Sequence, residues 1–174
     1  MVTIETPRLV LRPPDASDVV PFMEIHEDPE VAGTVVIVGK TGNVPAAWQY
    51  VATLVGYWHL RGFGQWAVVE KSTGELIGRV GPWYPEGWPG IELGWIIRHS
   101  RWNNGFATEA SQRALEWVWE NVETDHIISR IEPDNLASIR VAEKIGERLE
   151  GEGVLNGENV HVYGIRRKTT NVEG

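Results

Sequence analysis

The chain has 174 residues, no cysteine, 16 Lys+Arg against 24 Asp+Glu, and a formal net charge of −8. The missing cysteines exclude disulfides, thiolate metal sites and cysteine nucleophiles, and the acidic balance argues against a general nucleic-acid binder. The length suits a single domain over 1–174 with a substantial core. No apolar run approaches the roughly 18 residues of a membrane span, and the N-terminus lacks a signal-peptide pattern. A cytoplasmic protein with no nucleic-acid or membrane partner is therefore expected.

The elements follow in chain order. "RLVLRP" alternates and predicts a strand ending at proline. "DASDVVPFMEIHED" predicts a helix capped by Asp15 or Ser17. "VVIVGKTGNVP" mixes strand propensity with glycines and is left as a loop or strand that helps frame a cleft. "AAWQYVATLVGYWHLRG" predicts a helix stopped near Gly62 and Gly64. "QWAVVE" and "LIGRVG" predict strands around the turn "KSTGE". In "GPWYPEGWPG", proline and glycine argue against a regular element, so Trp83 and Trp88 are expected on a loop lining a cleft or a contact. "IELGWIIR" predicts a strand whose internal glycine marks a bulge or a close backbone approach. A helix from the "RWNNGFATEA" turn, a strand "HIISRIEP", a helix "NLASIRVAEKIG" and a hairpin turning at Asn156-Gly157 complete the chain. Strand, helix and strand around the glycine turn predict a parallel crossover in a mixed α/β sheet.

The turn before the second long helix carries chemistry. A helix start has unpaired N–H donors and partial positive charge, and Gly105 lets a ligand approach that backbone. No G-x-x-x-x-G-K-[ST] loop is present, and Gly105 stands alone where a dinucleotide fingerprint needs three glycines. A glycine-interrupted strand immediately upstream offers an edge for an amide-bearing ligand. An amide-bearing arm ending in a pyrophosphate fits both features, and coenzyme A has that shape.

Three stretches carry a family resemblance. "IELGWIIRHSRWNNGFATEA" resembles the acyl-CoA signature of the GNAT N-acetyltransferase superfamily, "NLASIRVAEKIG" its N-x-x-[AS]-x-x-x-x-x-K-x-G helix, and "TPRLVLRPPDASDV" the opening of the RimJ/RimL-like branch. The resemblance spans about 6–167 in the family's order. It implies an α/β (α+β) fold, the GNAT acyl-CoA N-acyltransferase fold, with a mixed central sheet of about six to seven strands and about four helices. It also implies acetyl-CoA as co-substrate, and leaves a homodimer open. Three positions depart from the pattern. Trp102 stands where Arg or Gln is usual, Ala142 where many relatives carry a catalytic tyrosine, and Glu147 where phenylalanine is usual.

On that resemblance the cofactor would meet Trp95, Ile96 and Ile97 on the strand, and Arg101, Asn103, Asn104, Gly105, Phe106, Ala107 and Thr108 at the turn. Asn135 and Ser138 would meet it from the next helix, with Ser138 as proton donor to the leaving thiolate. Glu92 is the leading base and Glu132 the second. Arg98, Arg101, Arg140 and Lys144 are the cations available to phosphates, while Tyr163 reads as core. The histidines at 26, 59, 99, 126 and 161 have no metal-ligand spacing, so no metal is expected. An α-amine of pKa near 7.7–8.0 is already roughly 10–15% neutral at pH 7, whereas freeing a lysine amine costs about 4.6 kcal/mol there. A lone carboxylate base therefore favours a protein or peptide N-terminal α-amine. The alternatives are a small-molecule amine, such as an antibiotic or polyamine, and a non-catalytic acyl-CoA-binding module.

Overall fold

The structure is a computed structural model that describes residues 1–32 and 43–167. Most of the "VVIVGKTGNVP" stretch lies outside the described residues. One sheet of eight strands runs in the order β1-β2-β3-β4-β5-β6-β8-β7. Its strands are β1 (Ile4–Glu5), β2 (Leu9–Arg12), β3 (Trp66–Glu70), β4 (Leu76–Trp83), β5 (Glu92–Ile97), β6 (His126–Ile131), β7 (Arg148–Leu155) and β8 (Glu158–Arg166). The helices are α1 (Val19–Glu27), α2 (Pro29–Ala32), α3 (Val44–Arg61), α4 (Phe106–Asn121) and α5 (Leu136–Ile145). The sheet thus exceeds the expected six to seven strands. Two-residue β1 is too short to show alternation, and it exists through its pairing with β2.

Alternation sorts the core. On β3, Trp66 and Val68 face α4, whose Phe106, Ala110, Ala114 and Val118 bury one stripe. Ala67 faces the other way, onto α1 and α3 through Phe22, Ile25, Val51 and Leu54. Trp58, Trp66 and Trp117 meet edge to face, with centroids 5.1–5.9 Å apart. Burying each such ring or aliphatic side chain contributes about 1.5–3 kcal/mol. Every strand pair is antiparallel except β5–β6, the pair joined by α4. Among the described residues, no helix is long and apolar enough to cross a membrane.

Local chemistry sets the ends. Asp15 caps the 3-10 turn ahead of α1, accepting from Ser17 N–H at 2.8 Å. Gly62 and Gly146 close α3 and α5 in left-handed conformation. Asn156 and Gly157 both have positive φ, 51° and 90°, as a two-residue type I′ hairpin requires. One expectation is corrected. β4 continues past Gly81, the end of the expected strand, through Pro82 to Trp83, which were read as loop residues. Pro82 is tolerated because the β3 ladder reaches only as far as Val80, and because Leu93 opposite it directs its carbonyl to β6.

Candidate active site

α4 begins on a stapled turn. Asn103 and Gly105 have φ of 60° and 78°. The Asn104 amide donates to the carbonyls of Arg101 and Trp102 at 3.2 and 2.8 Å. Arg8 closes the turn from β2's approach: Nη1 donates to the Asn104 carbonyl at 2.9 Å, Nε donates to Glu109 at 2.6 Å, and the guanidinium lies 4.4 Å from the Phe106 ring centroid. The first intrahelical bond is Glu109 N–H to the Gly105 carbonyl. The N–H groups of Phe106, Ala107 and Thr108 therefore precede the ladder at the positive end of the helix dipole.

Beside that helix end, β5 leaves β6. Their register contains one pair, Glu92 with Ile128. One rung further, the Ser129 hydroxyl takes the Leu93 carbonyl at 2.8 Å in place of a backbone donor. Period-two alternation then puts the N–H and C=O of Trp95 and Ile97 on the same diverging edge, while Ile96 faces β4 opposite Arg79. No register shift interrupts β4–β5, so Gly94 marks a close approach and not a bulge. A Cβ there would stand 3.1 Å from Gln65 Nε2. Of the three strand residues expected to meet the cofactor, two present backbone groups to the open edge.

A cleft of about 570 Å³ runs along this edge to the α4 turn. Glu92, Glu132, Ser138, Asn135, Trp95, Ile96, Ile97, Arg101, Asn103, Gly105, Phe106, Ala107 and Thr108 all line it, and Asn104 serves the turn from behind. Trp83 and Trp88 line it too. Asn135 caps α5 by accepting from Ser138 N–H at 3.0 Å. Ser138 Oγ accepts from Trp95 Nε1 at 3.3 Å, and indole has only a donor, so the serine proton stays free to donate elsewhere. Glu92 is committed: its Oε2 accepts from Trp88 Nε1 at 2.8 Å and from Arg130 at 2.8 and 3.0 Å, with Arg130 stacked over Trp88. Arg98 is tied to Glu24, and Arg101 to Glu70 and Glu75. Arg140 and Lys144, exposed on α5 at the rim, form no ion pair among the described residues.

A buried acid supports the point where the strands part. Glu147 is fully buried, and its Oε1 lies 2.9 Å from Ser129 Oγ. The one Ser129 proton is shared between the Leu93 carbonyl and Glu147 Oε1, at 2.8 and 2.9 Å. Burial pushes the Glu147 carboxyl up to about 8; the negative charges of Glu92 and Glu150 add to this, and the Ser129 contact opposes it. The sign follows from linkage. A neutral native carboxyl stabilises the fold fully below the unfolded value near 4.5, and that contribution drains away as pH rises to about 8. Glu147→Gln, which keeps a donor without a charge, should melt progressively higher than the native chain as pH goes from 5 to 8. Thermal denaturation across that range checks it; a constant offset would refute the neutral acid.

The cleft also holds residues that no motif signalled. Ser129 and Arg130 come from β6, Tyr50 from α3 and Arg79 from β4. A charged residue inside the apolar strand "LIGRVG" was the available sign for Arg79.

A profile of the acetyltransferase (GNAT) domain family matches residues 8–148. Over 87 residues the chain is 37% identical to the uncharacterized protein YkkB of Bacillus subtilis, covering 49% of this chain and 51% of YkkB. The match therefore spans about half the length of that relative. An acetyltransferase from Agrobacterium tumefaciens superposes with a TM-score of 0.82 at 28% identity, covering 96% of this chain and 95% of the other. RimL, a ribosomal alpha-N-protein acetyltransferase in complex with coenzyme A, superposes with a TM-score of 0.80 at 18% identity, covering 95% and 98%. At that identity the likeness is one of fold.

Proposed function

The chain belongs to the acetyltransferase (GNAT) domain family, and from that premise we propose that it is an acetyl-CoA-dependent N-acetyltransferase acting on a primary α-amine, as at a peptide N-terminus. One observation carries the reading: a strand edge freed from its neighbour leads directly to a helix start with three unpaired N–H groups. The edge of Trp95 and Ile97 suits the amides of a pantetheine arm, and the N–H groups of Phe106 to Thr108 suit its pyrophosphate. Arg140 and Lys144 supply charge for the remaining phosphate. The RimJ/RimL-like opening of the sequence, and the RimL fold, favour an N-terminal amine over a lysine.

Chemistry follows in a ternary complex. The neutral amine attacks the thioester carbonyl; the C–N bond forms, the C–S bond breaks, and the thiolate takes a proton from Ser138 as the serine oxygen regains one from water. The amine's surplus proton leaves through a carboxylate, directly or by one water. Of the two carboxylates, Glu132 is the open one, because Glu92 is held by Arg130 and Trp88. A mass-spectrometric screen of N-terminal peptides and small amines with acetyl-CoA tests the activity, and a total absence of acetylated product would refute it.

The carboxylates separate by pH profile. Glu132→Gln should lower kcat/KM roughly 10²-fold at pH 7, with part of the loss returning at pH 9 where more amine is neutral. Glu92→Gln should leave nearly buried Arg130 without its counter-charge, lowering the melting temperature by roughly 6–20 °C. Its rate loss should be the same at both pH values. A pH-dependent loss in Glu92→Gln would return the base to Glu92.

A further inference from the structure

On the sheet face covered by α1 and α3, the cleft contains a cation that has no counter-charge among the described residues. Arg79 sits opposite Ile96 in β4, and its Nη1 lies 3.6 Å from where a Gly94 Cβ would stand. The guanidinium thus covers the residue immediately before Trp95, whose backbone edge is open. Among the described residues, the buried Arg79 Nε and Nη1 meet no carboxylate or carbonyl, and their neighbour is the buried Tyr50 hydroxyl, which interacts with the guanidinium. Arg79 has no ion pair among the described residues, while Glu92 across the cleft is consumed by Arg130. Buried guanidinium groups ordinarily hold their acceptors, since leaving donors dry costs more than the bonds return. The charge is felt locally. His26, packed edge-on to Tyr50 at 4.7 Å, is pressed down to about 4 by burial and by the Arg79 charge, and so stays neutral.

We propose that Arg79, assisted by the Tyr50 hydroxyl, binds a carboxylate of the acceptor. The substrate class is then an amine that carries a carboxylate a few bonds away. This rests on the acetyltransferase reading and narrows it. A planar fork of donors matches a carboxylate in a way that a lysine cannot. Successive strand residues are about 3.3 Å apart, so an anion held over Gly94 keeps its amine within a few bonds of the Trp95 edge. Glu132 lines the same cleft and is a carboxylate available to the ammonium end of such a molecule. Two sources share this chemistry: the α-carboxylate of a free amino acid, and an acidic side chain at the start of a peptide.

The test uses matched acceptors with acetyl-CoA: L-phenylalanine and L-glutamate against their α-carboxamides, and Asp-Ala-Ala amide against Asn-Ala-Ala amide. At least one carboxylate member should be preferred roughly 10- to 100-fold in kcat/KM, the range for a charge-assisted hydrogen bond. The pair showing the preference identifies the source. Arg79→Gln should remove the preference by slowing the carboxylate member alone, and Arg79→Lys should restore part of it. Both variants should keep the native melting shift with acetyl-CoA, which separates acceptor binding from the cofactor. Equal rates within every pair for the native protein, or an equal loss on both members in Arg79→Gln, would overturn the proposal. A readout free of turnover is the melting temperature with N-acetyl-L-phenylalanine and coenzyme A. A shift beyond that of coenzyme A alone, present in the native chain and absent in Arg79→Gln, supports the carboxylate site, and an added shift that Arg79→Gln retains in full overturns it. Absence of both product and any acetyl-CoA melting shift would instead sink the acetyltransferase reading.

Discussion

Ser138→Ala should slow acetyl transfer by roughly 10²–10⁴-fold, the usual range for a general acid–base contribution. The hydroxyl is placed for that role from two sides. Its backbone N–H is held by the Asn135 cap, and its oxygen accepts from Trp95 Nε1 at 3.3 Å. Both contacts leave the serine proton uncommitted, next to the open edge of β5. Ala142, one turn further along the helix, has nothing to donate. Acetyl-CoA affinity should change little, because neither the Asn135 cap nor the α4 turn depends on the hydroxyl. The lost partner of Trp95 Nε1 should cost only about 1 kcal/mol of stability. An acyl donor with a more acidic thiol needs less protonation of its leaving group, so the deficit should shrink with that donor. Equal losses with both donors would make Ser138 a positioning residue.

What was legible in the sequence was chemistry that acts within a few residues. Asn135 before its helix, Gly146 after it and Asn156-Gly157 at the hairpin each satisfy a local demand for a cap or a positive φ. The α4 turn belongs with them: three neighbouring residues, Asn103 to Gly105, fix where the free N–H groups stand. The divergence of β5 from β6 was only half legible. Gly94 signalled an unusual strand, but the group that meets the Leu93 carbonyl where the strands part is the Ser129 hydroxyl, 36 positions downstream, which also contacts Glu147. Arg79 was hidden for a related reason. A charge in a strand reads as solvent-facing until the strand's partners are known, and here both neighbours of β4 are strands and α1 and α3 cover the face. Glu92, two residues before the glycine, reads from the sequence as a base or as the partner of a cation, and the fold supplies the cation, Arg130, with Trp88 beside it.

Gly105→Val should abolish the melting shift produced by acetyl-CoA. At a hundred times its dissociation constant a ligand stabilises by about 2.7 kcal/mol, or roughly 5–10 °C for a chain of this size. That shift is what the substitution should erase. The cause is backbone conformation. Gly105 has φ of 78°, and a β-branched residue resists that region, so the turn must rearrange and carry the N–H groups of Phe106 to Thr108 with it. Crowding inside the protein is not the cause, since a Cβ at this glycine would meet only Arg8 Nη2, at an ordinary 3.6 Å. Gly105→Asn separates the two explanations. Asparagine tolerates positive φ, as Asn103 does two residues earlier at 60°, so this variant should keep most of the shift. Loss of the shift in both variants would mean that any side chain here obstructs the ligand. A full shift in Gly105→Val would remove the α4 turn from the binding site altogether.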